Sequence, residues 1–491
     1  MTQAAAIRPA PARTARPKRA RWGWLEWFVI AQTFIPALLF LPGISAVRTP
    51  IRVLSYFVAM IAWAGIELLS RRRPGASAFS AGLLLRATAG LLLLLVFHPG
   101  TNSLLAGLAQ AMLYIAIFCP AFWVAGATTS KKQLGRVMLI LLACNGLSSV
   151  VGIGQVFRPE TFNPPYIPSM DEKIVGEVTP LSLSYEDERG RKIIRPCGLT
   201  DQAGAASGAG AVAATVGLAC ALYPMNPILR LLSLACSFFG IAVIYYSQVR
   251  FTLVMFVICL IVLTGIFVLQ RRVVQAGILA ASGVALIGGA MAWVMATSGA
   301  SVVERYTSFF DQSLSRTYED SHRGMFVQEA FERTLVENPF GVGLGWWGTI
   351  YGAFGDKTVP TKVWVEVMIP AWITDGGLPL LALYCGSIGL AMWDTLRIAR
   401  KSRDKEISYW AAVVFASNLG VVATCFSYVS FASPIGIQFW LLAALVNAAD
   451  LRSRSEAAAA AAAQRRPAGP AVSGRPSVLS PGPPPPRIAP A

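Results

Sequence analysis

Apolar residues run along this chain in uninterrupted blocks, and crossing the hydrocarbon core of a bilayer takes about 20 residues in a helix. Blocks of that kind fall near residues 24–47, 52–70, 78–97, 103–127, 134–156, 204–223, 229–247, 251–269, 273–297, 376–393, 408–431 and 435–449. The pattern predicts an all-α polytopic membrane protein of about 12 transmembrane helices, spread over residues 22–450. Two long polar segments interrupt it, about 157–203 and 298–362, each with 8 acidic and 6 basic residues. Segments of this length exceed ordinary connections and are expected to carry function.

Composition narrows the class. Hydrophobic residues make up 55% of the 491 and charged residues only 14%, against about 25% charged in soluble domains, which excludes a water-soluble enzyme. The net charge of +17 would suggest nucleic acid on a soluble chain. More than half of the Lys and Arg residues, however, fall in the two tails and in short connections on one side, including Arg71, Arg72, Arg73, Lys131, Lys132, Arg271, Arg272 and the Arg397 to Lys405 cluster. That distribution is the positive-inside signature. It predicts a bacterial inner-membrane protein with both termini cytoplasmic, the two polar segments periplasmic, and no nucleic-acid partner.

Residues 1–21 read as a disordered basic leader rather than a cleaved signal, because the apolar stretch from Trp24 is long and lacks an Ala-x-Ala exit. Residues 451–491 pass through seven alanines (Ala457 to Ala463) into a Pro/Gly/Ser-rich stretch with four prolines (Pro483 to Pro486), and are expected to form a disordered cytoplasmic tail. Glu26 and Glu67 lie near cytoplasmic ends, where snorkelling is expected, whereas Arg86 lies eight residues into its span and calls for a partner. Gly204-Ala-Ala-Ser-Gly208 reads as a small-residue packing face. Trp22, Trp24, Trp27, Trp346 and Trp347 read as an interfacial belt.

Of eight cysteines, seven sit in apolar spans and only Cys197 lies in a loop, so no disulfide framework or CxxC metal site is indicated. With His98 and His322 the only histidines, a His-rich zinc centre is not expected, nor is a cofactor. The second polar segment contains His322, Arg323 and an amphipathic helix with Phe326, Ala330, Phe331 and Leu335 on one face. Asn338-Pro339 ends it, and Phe340-Gly-Val-Gly-Leu-Gly345-Trp-Trp-Gly348 follows. Gly343 to Gly348 matches G-x-G-x-x-G, but no predicted strand precedes it, so a close-packing turn is the better reading than a dinucleotide site.

An outer-loop arginine, an amphipathic helix and then Asn338-Pro-Phe-Gly-Val-Gly-Leu-Gly345 resembles the signature of the O-antigen ligase and O-antigen polymerase family of membrane glycosyltransferases. Arg195-Pro-Cys-Gly198-Leu-Thr resembles the family's Arg-x-x-Gly element, and Tyr246-Ser247-Gln248-Val249-Arg250 resembles its Ser-x-Arg element with one residue more between the serine and the arginine. The resemblance covers roughly residues 190–400. It implies transfer of an oligosaccharide from a polyprenyl diphosphate carrier to an acceptor glycan on the periplasmic side, in one of two forms. A polymerase joins repeat units into a surface or exocellular polysaccharide, with membrane lipid around it and a flippase and chain-length regulator as possible partners; a ligase moves glycan to a lipid or protein acceptor.

Such a reaction needs positive charge on the departing diphosphate, and Arg250, Arg323 and Arg195 are the candidate substrate-binding residues. The competing readings are an arginine snorkelling to phospholipid for Arg250 and solvated loop charges for the other two. It also needs a proton acceptor for the attacking hydroxyl. Ligases of the family resemble one another in a His-Asn pair about eleven residues before a glycine that opens the next span, and here that histidine is absent. Counting back from Gly377 places Glu366 there, as candidate general base or as a structural carboxylate paired with Lys362; His322 is the other candidate base. A transporter would share the span count but would be expected to show repeat symmetry and mid-membrane charge. A non-catalytic assembly partner is the remaining alternative.

Overall fold

The structure is a computed structural model that describes residues 22–69, 79–128, 130–164, 184–186, 192–200, 202, 204–298, 322–359, 363 and 365–465. Apart from one antiparallel hairpin, pairing Ser184–Glu186 with Lys192–Ile194 and Tyr185 opposite Ile193, the described chain is helical. The helices are α1 (Trp24–Ala37), α2 (Arg48–Leu69), α3 (Ala81–Leu95), α4 (Leu104–Phe118), α5 (Pro120–Ala127), α6 (Lys132–Phe157) and the single turn α7 (Pro159–Phe162). Then come α8 (Ala206–Leu222), α9 (Pro227–Ser247), α10 (Arg250–Leu269), α11 (Val273–Ser298), α12 (His322–Glu329), α13 (Gly348–Phe354), α14 (Met368–Lys401), α15 (Lys405–Ala423) and α16 (Pro434–Arg465).

Among the described residues, nine helical stretches are long and apolar enough to cross a membrane, with α4 and α5 counted as one stretch, Leu104–Ala127. Three shorter apolar helices, Trp24–Phe40, Ala81–Leu95 and Ala206–Leu222, stand where the other three spans were expected. The protein therefore has the architecture of a polytopic membrane protein. The leader 1–21, the Arg71–Arg73 cluster, more than half of the first polar segment, residues 299–321 and 360–362 of the second, and the chain from 466 onward lie outside the described residues.

Two boundaries differ from the sequence expectation. The alanine run does not begin a tail: α16 continues from Pro434 through Ala463 to Arg465, as alanine's helix propensity favours. The span expected from 376 starts earlier, at Met368, and the chain breaks helical geometry at Gly376 (φ −154°, ψ 16°) and Gly377 (φ 60°, ψ −149°) before continuing to Lys401. The stretch Met368–Asp375 thus forms a separate helical piece, and all but one of its residues are fully buried.

The closest helix pair is α8 with α9. A Cβ on Gly210 would stand 2.7 Å from Val243 Cγ1, one on Gly217 2.6 Å from the Ser233 carbonyl, and one on Gly240 2.6 Å from the Gly210 carbonyl. The small-residue face expected at Gly204 and Gly208 is therefore displaced along the helix to Gly210 and Gly217, where helices without a solvent-driven hydrophobic force gain contact by close approach. Aromatic side chains fill the opposite side, where Tyr384 stacks on Trp372 at 4.8 Å and Phe431 packs edge-on against Phe439 at 5.1 Å.

The helices alternate between two ends. One end carries the polar segments; the other carries the short basic connections and is tied by carboxylates. Asp394 accepts from the Ser80 amide and hydroxyl at 3.1 and 2.6 Å, Asp404 pairs with Lys131 at 2.9 Å, and Asp450 accepts from Ser402 at 2.7 Å and pairs with Arg454. Glu26 does not snorkel. It is fully buried, accepts from Gln133 at 2.8 Å and the Gly23 amide at 3.0 Å, and lies 3.4 Å from Arg136, because a charge removed from water requires such partners. Arg86 is exposed, with its guanidinium 5.9 Å from the centre of the Phe122 ring.

Candidate functional site

The end with the polar segments is built around two arrangements. In the first, the stretch Arg195-Pro-Cys-Gly198 is clamped onto α6 by Gln155, whose Oε1 accepts from the Cys197 and Gly198 amides at 3.0 and 2.9 Å while its Nε2 donates to the Gly198 carbonyl at 2.9 Å. Gly198 has φ +64°, and a Cβ there would stand 2.5 Å from Ser148 Oγ, so only glycine fits. The clamp holds the backbone two and three residues after Arg195. A Cβ on Gly204 would stand 3.3 Å from Arg195 Nη2 and 3.2 Å from Val249 Cγ2, so Gly204 separates the Arg195 guanidinium from the residue preceding Arg250.

Arg250 opens α10 after a two-residue turn in which Gln248 is left-handed at φ 53°, ψ 27°. A buried non-glycine residue in that region is unusual, and it lets α10 begin directly beside the end of α9. Ser207 of α8 and Thr252 of α10 share a hydrogen bond at 3.2 Å, which locks the two helix starts together. Arg195 and Arg250 are both half-buried. Tyr428, which donates to Gln202 Oε1 at 3.1 Å, closes the group from the α15–α16 connection. Burial pushes its hydroxyl pKa up, while Ser433 and the charge of Arg52 pull it back, so Arg52 at the start of α2 is a further cation at this end.

In the second arrangement, α12 carries Arg323, whose Nε lies 3.5 Å from Glu366 Oε2, with the side chains 49% and 36% exposed. The structure thus joins two sequence candidates as an ion pair; Lys362, the alternative partner considered for Glu366, lies outside the described residues. His322 supplies the first residue of α12, and its side chain is likewise outside the description. The helix continues through a π turn, Ala330–Thr334, to Glu337.

The glycine-rich run then folds against the break in α14. The Val342 and Gly343 amides donate to the Thr374 carbonyl at 2.7 and 3.2 Å, and the Leu378 amide to the Pro339 carbonyl at 2.9 Å. Gly341, Gly343 and Gly345 have φ of +89°, +111° and +84°. A Cβ on Gly341 would meet the Gly376 amide at 2.7 Å, and one on Gly343 the Thr101 amide at 2.5 Å. Gly341 and Gly343 thus make close backbone contact, as the packing-turn reading expects.

Beneath the run lies a carboxylate that sequence reasoning passed over. Asp375 is fully buried and accepts from Tyr114 Oη at 2.7 Å and Trp347 Nε1 at 2.9 Å. Trp346 donates to the Gly100 carbonyl at 2.7 Å. The two tryptophans are therefore anchors of the glycine-rich segment, and Trp347, 5% exposed, is no part of an interfacial belt. The sequence signal for Asp375 was its place directly before Gly376-Gly377. Arg52, Gln202 and Tyr428 carried no signal, because they reach the site only through the packing of distant helices.

No family model matches the chain, and no curated protein is significantly similar to it.

Proposed function

We propose that this protein is an inner-membrane glycosyltransferase of about 12 spans that polymerises polyprenyl-diphosphate-linked oligosaccharide repeat units on the periplasmic side, with both termini cytoplasmic. The observation that carries the reading is the place of Arg195 and Arg250 at the bundle end that bears the polar segments, where Gly204 lies against both the Arg195 guanidinium and Val249, the residue before Arg250. Gln155 clamps the backbone two and three residues after Arg195, and Arg250 opens an apolar helix, where a diphosphate on a lipid chain would lie. A guanidinium fork matches phosphate oxygens in pairs, and fixed positive charge stabilises a departing diphosphate most where water is scarce.

In the proposed reaction an acceptor hydroxyl attacks the anomeric carbon of the donor sugar. The bond from that carbon to the diphosphate oxygen breaks, and the electron pair leaves with the polyprenyl diphosphate, whose charge Arg195 and Arg250 neutralise. The hydroxyl proton passes to a base, and Glu366 is the carboxylate proposed for it, with Arg323 holding it in place at 3.5 Å. Asp375, Tyr114 and Trp347 hold the glycine-rich segment against α14 and so fix the helix that carries Arg323 relative to Glu366.

The test is genetic and chemical together. Cells lacking the protein should accumulate lipid-linked repeat unit and lose polymer, the wild-type gene should reverse both, and Arg250→Ala should reverse neither at equal protein abundance. Loss of glycan from a lipid or protein acceptor, with polymer retained, would move the assignment to ligation.

A further inference from the structure

The opposite end of the bundle holds a cavity of about 770 Å³ that the glycosyl-transfer reading does not use. Its wall includes four cationic side chains, Arg271, Arg272, Arg400 and Lys405, against one carboxylate, Glu406. Among the described residues Arg271, Arg400 and Lys405 form no ion pair, and the neighbouring Asp404 is already taken by Lys131. Among the described residues, net positive charge is thus gathered in one concavity with Glu406 the one carboxylate in its wall.

The wall is built rather than merely charged. Gln270 Nε2 donates to the Ala399 and Ser408 carbonyls at 2.8 and 3.0 Å, tying the α10–α11 turn to the end of α14 and the start of α15. Arg272 Nη2 donates to the Lys405 carbonyl at 2.7 Å, and its guanidinium lies 5.1 Å from the centre of the Tyr409 ring. Arg271 is left-handed at φ 60°; Gln248, beside Arg250, is the other non-glycine residue with positive φ among the described residues. Such a conformation costs about 1–2 kcal/mol for an L-residue, and here it sets the two arginines at the rim. Gln270 Oε1 and Gln275 Oε1 are buried without a hydrogen-bond partner, acceptors that a ligand hydroxyl would satisfy.

Helix α11, of 26 residues, begins at this cavity, so the positive end of its dipole adds to the side-chain charge, whereas the start of α15 is already capped by Asp404. Leu269, Val273 and Val274, 63–76% exposed, flank the arginine pair and offer acyl chains a surface.

We infer that this cavity binds a phosphate-bearing ligand through Arg271, Arg272, Arg400 and Lys405. On the proposed topology it opens to the cytoplasmic face. The phosphate is either the headgroup of an anionic phospholipid, whose chains would lie along α10 and α11, or part of a soluble phosphate compound. The inference stands apart from glycosyl transfer and is read without it.

The experiment uses the purified full-length protein in a neutral detergent. Thermal unfolding is followed against dihexanoyl phosphatidylglycerol, dihexanoyl phosphatidylcholine and ATP, for wild type and for Arg271→Gln with Arg400→Gln. Both substituted side chains are exposed, so the variant's midpoint without ligand should match wild type. A saturable rise with phosphatidylglycerol but not phosphatidylcholine identifies a lipid headgroup, and a rise with ATP identifies a soluble phosphate. In either case the variant should bind at least tenfold more weakly. No saturable rise with either anion, an equal rise with phosphatidylcholine, or unchanged affinity in the variant would overturn the inference.

Discussion

Replacing Tyr114 by Phe removes one hydroxyl from the interior and tests whether Asp375 anchors the glycine-rich segment. The Tyr114 Oη to Asp375 Oδ2 distance is 2.7 Å, and both residues are fully buried. An intramolecular hydrogen bond contributes about 0.5–1.5 kcal/mol net, and a buried acceptor left without its donor costs about 1–3 kcal/mol. Tyr114→Phe should therefore destabilise the protein by about 1–3 kcal/mol, about a fivefold or greater change in the unfolding equilibrium. In an Asp375→Ala background the hydroxyl has lost its acceptor, so the same substitution should be close to neutral. The coupling energy of the double-mutant cycle should then be about as large as the single effect. Reversible unfolding in bicelles, followed by tryptophan fluorescence, gives all four corners. Equal costs for Tyr114→Phe in the wild-type and Asp375→Ala backgrounds would refute the anchoring role, and Trp347→Phe should repeat the pattern through Asp375 Oδ1.

At the donor site, Arg250→Lys should lose most polymer-forming activity at normal protein abundance, since an ammonium cannot present the paired donors of a guanidinium; polymer yield normalised to protein level measures it. Glu366→Gln should be nearly as inactive as Glu366→Ala if the carboxylate is the base, whereas a purely structural partner of Arg323 would tolerate the amide; turnover of lipid-linked repeat units in membranes separates the two. Asp404 is held below the ordinary carboxylate range: burial opposes this, but Lys131 and the Ile407 and Glu406 amides outweigh it, while the hydrogen bond and charge of Asp404 raise Lys131. The carboxylate's contribution to stability is present above the ordinary carboxylate pKa of about 3.9 and is lost as pH falls through the lower folded value; the lysine's is present below its ordinary pKa and is lost as pH rises past the raised one. Asp404→Asn should thus lower the unfolding midpoint at pH 7 and have little effect at about pH 2.5, below the ordinary carboxylate pKa. Cysteines placed at residues 320 and 400 in a Cys-free background should react with an impermeant thiol reagent from the periplasm at 320 only, and the reverse pattern would invert the topology.

Helix positions were readable in the sequence because a membrane span is encoded locally, by about 20 apolar residues in a row, and every expected span coincides with a helix. The break at Gly376-Gly377 was not readable in that way. Met368–Ile373 is itself largely apolar and runs on toward the span, and only the approach of Gly341 and Pro339 from another segment shows why two glycines interrupt it. The alanine run misled for a physical reason, since its composition suits both a low-complexity tail and a helix, and attachment to α16 favours the helix. At the site, Arg195, Arg250, Arg323 and Glu366 were legible as charged residues in or beside apolar sequence. Their grouping, Arg195 across Gly204 from Val249 and Arg323 paired with Glu366, was not, because residues 54 positions apart in the first case and 43 in the second come near one another only through tertiary packing. Asp375 escaped notice because a single carboxylate inside an apolar run resembles a span boundary until its two donors are seen.

Polymerisation itself is tested most directly with the purified full-length protein in liposomes. The substrate is lipid-linked glycan extracted from cells that lack the protein, and product size is followed by gel electrophoresis. The expected result is a ladder of glycans growing by whole repeat units with wild type, and unreacted donor with Arg250→Ala and with Arg195→Ala. Intact donor in the presence of folded wild-type protein, or equal ladders from wild type and both arginine variants, would contradict the assignment.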